Sequence, residues 1–412
     1  MLTNTPNQPT TAHATEDWLN TVQGWSEQLR QTLPWLQRAS AGASLGFGLG
    51  RDIVGLTESL HGTIAGARHP FKSAPAQRTR GLTGLVYRCV HQGFASTEQA
   101  LATISQQFPQ PAQASDPLHW QHVHAALNGV LGDRLHARGN ALAQGMTLIP
   151  AHGEDSEAQG DRPRWIFVHG LCMHEGGWQR SAHQGFIDEL QNSAVASSYL
   201  RYNTGRHISE NGWDFHLQMQ TAWEQGQRSP LWLVGHSMGG LVIRSAMAQA
   251  QAIDADWLNR VQASAYLGSP HHGSPLEVWG NHANRLLGIT AYTAPFMRLG
   301  GVRSAGIQDL RHGNLMHADW QSRESDDDTR DLRQPCPLLP DIPHLLIAAR
   351  RQGELQGLAG DDYLVPVRSA LAEHAQHRVH APRIVRQVVE ERHHMDLLGD
   401  PQVYAALQGL LR

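Results

Sequence analysis

The run Leu231-Trp232-Leu233-Val234-Gly235-His236-Ser237-Met238-Gly239-Gly240-Leu241 constrains this chain more than any other. An apolar strand core stops at a glycine-flanked serine, then resumes with helical spacing at Leu241, Ile243 and Met247. A chain that passes from strand to helix in so few residues holds the residue at the tip in a strained backbone conformation. Small residues two positions before and after make that possible. The turn lifts the Ser237 hydroxyl above the sheet and sets it near the N–H of Met238. Gly-x-Ser-x-Gly is a short pattern, and it gains weight from the strand before it and the helix after it.

From Met146 onward, short apolar runs alternate with amphipathic stretches. The runs predict strands at 146–150, 165–169, 198–202, 231–234, 263–268, 345–349 and 384–389. Helices are predicted at 182–190, 213–225, 240–250 and 402–411. That rhythm predicts an α/β fold with a doubly wound, mostly parallel sheet. Ligands bind at the carboxyl ends of strands in such sheets, and Ser237 sits at one of those ends. Residues 275–343 interrupt the rhythm with Asn284–Leu287, an aromatic and methionine cluster (Tyr292, Phe296, Met297) and a charged run from Glu324 to Asp331. So long an interruption predicts a cap insertion. Asp326 to Asp328 lack the spaced ligands and turn glycine of a calcium loop and are expected on a solvated surface.

Residues 1–145 are expected to form a helical N-terminal extension to the 146–412 domain. Trp18, Val22, Trp25 and Leu29 share one helical face, as do Ile53, Leu56, Leu60 and Ile64. Leu82, Leu85, Val86, Val90 and Phe94 form a third stripe, and Trp120, Val123, Leu127 and Leu131 a fourth. Gly46, Gly48 and Gly50 follow no strand and lack dinucleotide-loop spacing; they are expected to let helices approach closely. Peripheral membrane contact is the competing use of these helices, although no strongly cationic face marks them as interfacial.

Charged residues are 17% of the 412, with a formal charge of −4, which does not suggest a nucleic-acid footprint. The 26 histidines are scattered through polar stretches and are expected mainly on the surface. Cys89, Cys172 and Cys336 fit neither a disulfide framework nor a zinc site. The N-terminus lacks a signal-peptide pattern. The small-and-apolar stretch 39–50 is shorter than the about 20 residues a membrane span needs. A soluble cytoplasmic protein is the resulting expectation.

A serine hydroxyl needs a base to become a nucleophile, and in this kind of fold the acid and histidine follow it in the chain. Strand 345–349 is followed by Asp361-Asp362-Tyr363-Leu364-Val365-Pro366. Strand 384–389 is followed by His393-His394-Met395-Asp396. Either aspartate can serve from its position alone.

The set resembles the lipase and esterase branch of the α/β-hydrolase superfamily, including bacterial lipases and the lipase-like domain of GPI inositol deacylases. The resemblance rests on Val168-His169-Gly170-Leu171, Gly235 to Gly240, Asp362 to Pro366, His394-Met395-Asp396, and Gly268-Ser269-Pro270-His271-His272-Gly273. It spans residues 146–412. Segments 51–61, 82–88 and 125–135 are also similar to an N-terminal extension of uncharacterised bacterial members.

The resemblance implies Asp362 as the acid, although Tyr363 stands where glycine is common, which keeps Asp361 open. It implies His394 as the base, with His393 pointing elsewhere, and the N–H groups of Leu171 and Met238 as oxyanion donors. The expected reaction is cleavage of a small-molecule acyl ester or lipid through an acyl-enzyme, with no metal or organic cofactor. In some related lipases the aspartate of His-x-Asp helps hold calcium. Asp396 has no identifiable second ligand and is expected to make a structural hydrogen bond. Acyl transfer, or thioester or amide cleavage by the same triad, is the near alternative. A noncatalytic scaffold reaching membranes or a partner through the N-terminal helices is the distant one. The sequence does not set the oligomeric state.

Overall fold

The computed structural model describes residues 118–152, 161–274, 304–321, 331, 333–351, 362, 364–373, 379 and 381–411. The first three helical stripes, the 284–287 piece, the aromatic cluster of the insertion, Cys89, Asp361 and Tyr363 lie outside them. Asp116–His136 and Ala143–Arg412 form one compact unit. The helix carrying the fourth stripe, α1 (Leu118–Ala137), thus belongs almost wholly with the sheet. It buries Leu127, Val130, Leu131 and Leu135 there.

The sheet consists of β1 (Thr147–Pro150), β2 (Arg164–Val168), β3 (Ala196–Arg201), β4 (Leu231–His236), β5 (Val261–Leu267), β6 (His344–Arg350) and β7 (Ile384–Glu390). Their order is β1-β3-β2-β4-β5-β6-β7. The sheet is mostly parallel, as expected; β1 runs antiparallel to β3. The chain winds outward in opposite directions from β2 and β4, so a crevice opens at the carboxyl ends of these two neighbours.

Alternate residues of each strand enter opposite cores because successive side chains point to opposite faces. Ile166, Val168, Leu233, Tyr266 and Leu346 face one core, and Trp165, Phe167, Val234, Leu267 and Ile347 the other. The first face is covered by α3 (Ile208–Glu224) and α4 (Met238–Gln251), which contribute Phe215, Met219, Leu241 and Val242. The second is covered by α2 (Ser181–Asn192) and α8 (Pro401–Gln408), through Phe186, Ile187, Val403 and Leu407. Burial on both faces explains why the central strands read as continuous apolar runs.

Within the insertion, α5 (Ala305–His312) and α6 (His317–Gln321) are described. Asp309 anchors α5, its carboxylate accepting from the Ile208 N–H at 2.8 Å and meeting His207 Nδ1 at 3.0 Å. This also explains why α3 starts at Ile208 rather than at the expected Trp213. Its first turn is capped by a residue 101 positions away, and His207 gives no side-chain cap. The short α7 (Val367–Ala370) follows the loop that carries Asp362. No described helix is long and apolar enough to cross a membrane.

Candidate active site

Ser237 stands between β4 and α4 with φ 54° and ψ −124°, a left-handed conformation that non-glycine residues rarely adopt. Its N–H donates to Leu267 O at 2.9 Å, which fastens the turn to β5. A Cβ on Gly235 would strike the backbone of Gly239 and Gly240, and one on Gly239 would strike Val168 and His169 carbonyls. The flanking glycines are thus required by close backbone approach as well as by the turn.

His394 and Asp362 meet beside this turn. The His394 ring lies 2.7 Å, Nδ1 to Oδ2, from the Asp362 carboxylate, and both side chains are 1% exposed. A carboxylate can only accept, so Nδ1 carries the proton, an arrangement that reserves Nε2 for the acceptor role in the neutral tautomer. Nε2 is buried and has no partner among the described residues. The other carboxylate oxygen, Oδ1, accepts from Leu364 N–H at 2.9 Å and Val365 N–H at 2.6 Å, an aspartate-centred turn that fixes the carboxyl plane. Ser274 Oγ donates to Leu364 O, and Ser369 Oγ donates to Gly273 O at 2.8 Å. The 268–274 segment therefore clasps the loop that presents Asp362.

Sequence reading gave Gly268 no role of its own. It sits at φ +61°, and a Cβ there would come within 2.9 Å of His394 Cε1. Glycine is needed both for the backbone and for the imidazole. His236, the variable residue before the serine, donates from Nε2 to His394 O at 3.2 Å, and the two rings lie 4.7 Å apart. Burial, then the neighbouring His394, holds the His236 pKa well below the usual histidine value, so it braces the site as a neutral ring. His393 instead meets Arg351. Asp396 accepts from the His393 N–H at 2.8 Å as part of a capping box. Among the described residues no group of three or more His, Cys, Asp or Glu is arranged to hold a metal ion.

Leu171 follows β2 in a loop pressed against the serine turn. A Cβ on Gly170 would lie 3.0 Å from Ser237 Cβ. Tyr202 donates to His169 O at 2.7 Å, and Thr204 Oγ1 accepts from the Cys172 N–H at 3.1 Å. The partly buried pair of Arg201 and Glu175 fastens the end of the same stretch to β3. Cys172 is itself at φ 57°, and burial pushes its thiol up to about 12, which makes it a poor nucleophile. Leu171 N and Met238 N have no acceptor among the described residues. Met238 opens α4, so its N–H is one of the donors that a helix start leaves unpaired. Tyr202 and Thr204 went unnoticed in the sequence as loop supports, although Tyr202 ends a predicted strand.

Residues 165–330 match the family described as the PGAP1-like alpha/beta domain. No curated protein matches the chain. Among solved structures, the mature lipase BlEst2 of Bacillus licheniformis is similar at 16% identity, over 65% of this chain and 98% of its own, with a TM-score of 0.41. Bacillus subtilis carboxylesterase CesB shares 13% identity over 71% of this chain and 96% of its own, with a TM-score of 0.36. Mouse alpha/beta hydrolase domain-containing protein 10 shares 13% identity over 65% and 94%, with a TM-score of 0.37. Likenesses this distant carry no information about substrate. With its serine turn at the crevice of a doubly wound, mostly parallel sheet, the chain has the α/β-hydrolase fold, and its residues 165–330 are similar to the PGAP1-like alpha/beta domain.

Proposed function

We propose that the protein is a serine hydrolase that cleaves carboxylic esters of lipid-like or other acyl substrates through Ser237, His394 and Asp362. The observation that carries this reading is the buried Asp362–His394 pair, whose second ring nitrogen has no partner among the described residues, set beside a serine in a strained turn. His394 Nε2 takes the proton as Ser237 Oγ attacks the acyl carbonyl, and Asp362 fixes the tautomer and stabilises the imidazolium. The negative charge on the carbonyl oxygen is received by the N–H groups of Leu171 and Met238, the latter aided by the positive end of α4. As the tetrahedral intermediate collapses, His394 returns the proton to the leaving alcohol and the acyl group stays on Ser237. Water, deprotonated by the same histidine, releases the acid.

A fluorophosphonate probe is expected to label the wild-type chain at Ser237 and to leave Ser237→Ala unlabelled. Equal labelling of the two would overturn the assignment. A matched panel of esters, thioesters and amides then ranks the leaving groups, with esters expected to turn over fastest. The 275–343 insertion is proposed to roof the acyl pocket.

A further inference from the structure

The end of the sheet away from Ser237 holds a cleft of about 250 Å³ with an unusual charge pattern. Arg164, the first residue of β2, and Arg260, just before β5, both line it, over an apolar floor that includes Leu148, Ile166, Met219 and Leu231. Arg260 is 4% exposed. Its Nε donates to Ser229 O at 2.9 Å, and its Nη1 is buried with no acceptor among the described residues. Among the described residues the Arg164 guanidinium makes one hydrogen bond, from Nη1 to Ser198 Oγ at 3.2 Å. Gln218 Oε1, on the same wall, is likewise buried without a partner among the described residues.

The nearby charges do not balance. Arg260 lies close to Arg164 and Arg228, and Asp161 is the carboxylate opposing them among the described residues. Asp161 is exposed and its Oδ1 is already engaged by the N–H groups of Arg228 at 2.7 Å and Ser229 at 2.5 Å. Nor do Arg164 and Arg260 serve the end of α3. The last carbonyls of that helix accept from Gln225, Gly226 and Gln227 N–H groups and from Arg228 Nη1. Guanidinium groups remain charged near neutral pH, and a buried, unmatched donor on a charged group is costly.

We propose that this cleft binds a small organic oxyanion, a carboxylate or phosphate with a short apolar body, held by Arg164 and Arg260. Planar guanidinium forks match carboxylate and phosphate oxygens in pairs, and the floor receives the apolar part. The site lies one strand length, about 20 Å, from Ser237, so its occupancy does not depend on the hydrolase reading.

Calorimetric titration of the full chain with acetate, hexanoate and inorganic phosphate tests the proposal. Hexanoate is expected to bind more tightly than acetate, and Arg260→Gln and Arg164→Gln are each expected to weaken binding at least tenfold. Arg260→Lys should retain part of the affinity, and Ser237→Ala all of it. Phosphate binding that is lost in both Gln variants supports the phosphate form of the ligand. Circular dichroism checks that the variants fold, and the half-buried Arg164 supplies the milder change should Arg260→Gln fail. Hexanoate binding undiminished in both Gln variants places the ligand elsewhere and overturns the proposal. So does silence from all three probes, which would leave water as the occupant. A combined Glu154→Gln, Asp155→Asn and Glu157→Gln variant is expected to bind as wild type. Tighter binding there would show that the chain's own carboxylates fill the cleft and would also overturn it.

Discussion

The two ends of the sheet have solved the burial of charge in opposite ways. At the carboxyl end a carboxylate meets an imidazole, and the Oδ1 of that carboxylate is spent on two backbone N–H groups. The ring nitrogen left over, Nε2, has no partner among the described residues and can accept a proton. At the amino end two guanidinium groups share a cleft, and the donor left over belongs to a cation that cannot neutralise itself. One arrangement suits moving a proton and the other suits holding a fixed anion. What separates them is the charge placed opposite the unused atom, more than the depth of burial.

The largest expected effect separates the ends outright. Asp362→Asn should lower ester turnover about 10⁴-fold by removing the carboxylate that sets the His394 tautomer, while Arg260→Gln leaves turnover close to wild type. A steady-state assay on a fluorogenic ester reads both, and a large loss in Arg260→Gln would break the division. Trp165→Ala should move both ends together. Its side chain is fully buried, stacks on Trp232 and meets Phe186 edge to face, so denaturant titration should show a loss of about 3–5 kcal/mol. Gly268→Val acts on the carboxyl end alone. Strain at φ +61° and a Cβ against His394 should cost about 10²-fold in kcat through a misplaced imidazole, with hexanoate affinity unchanged.

Acid should sharpen the contrast. Burial lowers His169 from the usual 6.5 to about 4 and His183 to about 3. His183 sits between Tyr199 and Tyr404, with its ring nitrogens 2.8 and 3.1 Å from their hydroxyls. Both imidazoles are neutral in the fold and free to protonate in the unfolded chain, so the unfolded state binds more protons below pH 6.5. Their contribution is constant above that pH and is lost progressively as pH falls toward about 4 and about 3. Tm measured from pH 8 to 4 should therefore drop below 6.5. The arginine cleft adds no such slope, because its groups do not titrate there. The smallest effect is that of Thr204→Val, which removes the acceptor of the Cys172 N–H and should cost about 1 kcal/mol. It should lower kcat more than it raises KM if that loop presents an oxyanion donor.

Local chemistry was legible wherever one stretch of chain did the work alone. The strand-turn-helix at Ser237 was such a case, and so were the continuous apolar runs of β2 and β4. Position alone left Asp361 and Asp362 open; Asp362 lies against His394, and Asp361 is outside the described residues. Elements finished by distant residues read less well. β3 begins at Ala196, two residues before the expected start, because Ala196 and Ser197 are poor strand formers held by pairing with β2. Many histidines expected on the surface are buried, among them His169, His174, His183, His236, His271 and His344. Each needs neighbours from elsewhere in the chain to be tolerated there. The arginine cleft was invisible for the same reason, since its walls come from β1, β2, α3, β4 and the turn just before β5.

The backbone angles of Ser237 have a consequence for laboratory evolution. A side chain at φ 54° and ψ −124° costs about 1–3 kcal/mol, and glycine adopts that conformation without a Cβ penalty. Ser237→Gly is thus expected to raise Tm while abolishing fluorophosphonate labelling, the reverse of what most substitutions in a buried turn do. A library of this protein screened for heat resistance alone would drift toward glycine at position 237, and only a screen that also asks for turnover would bring the serine back.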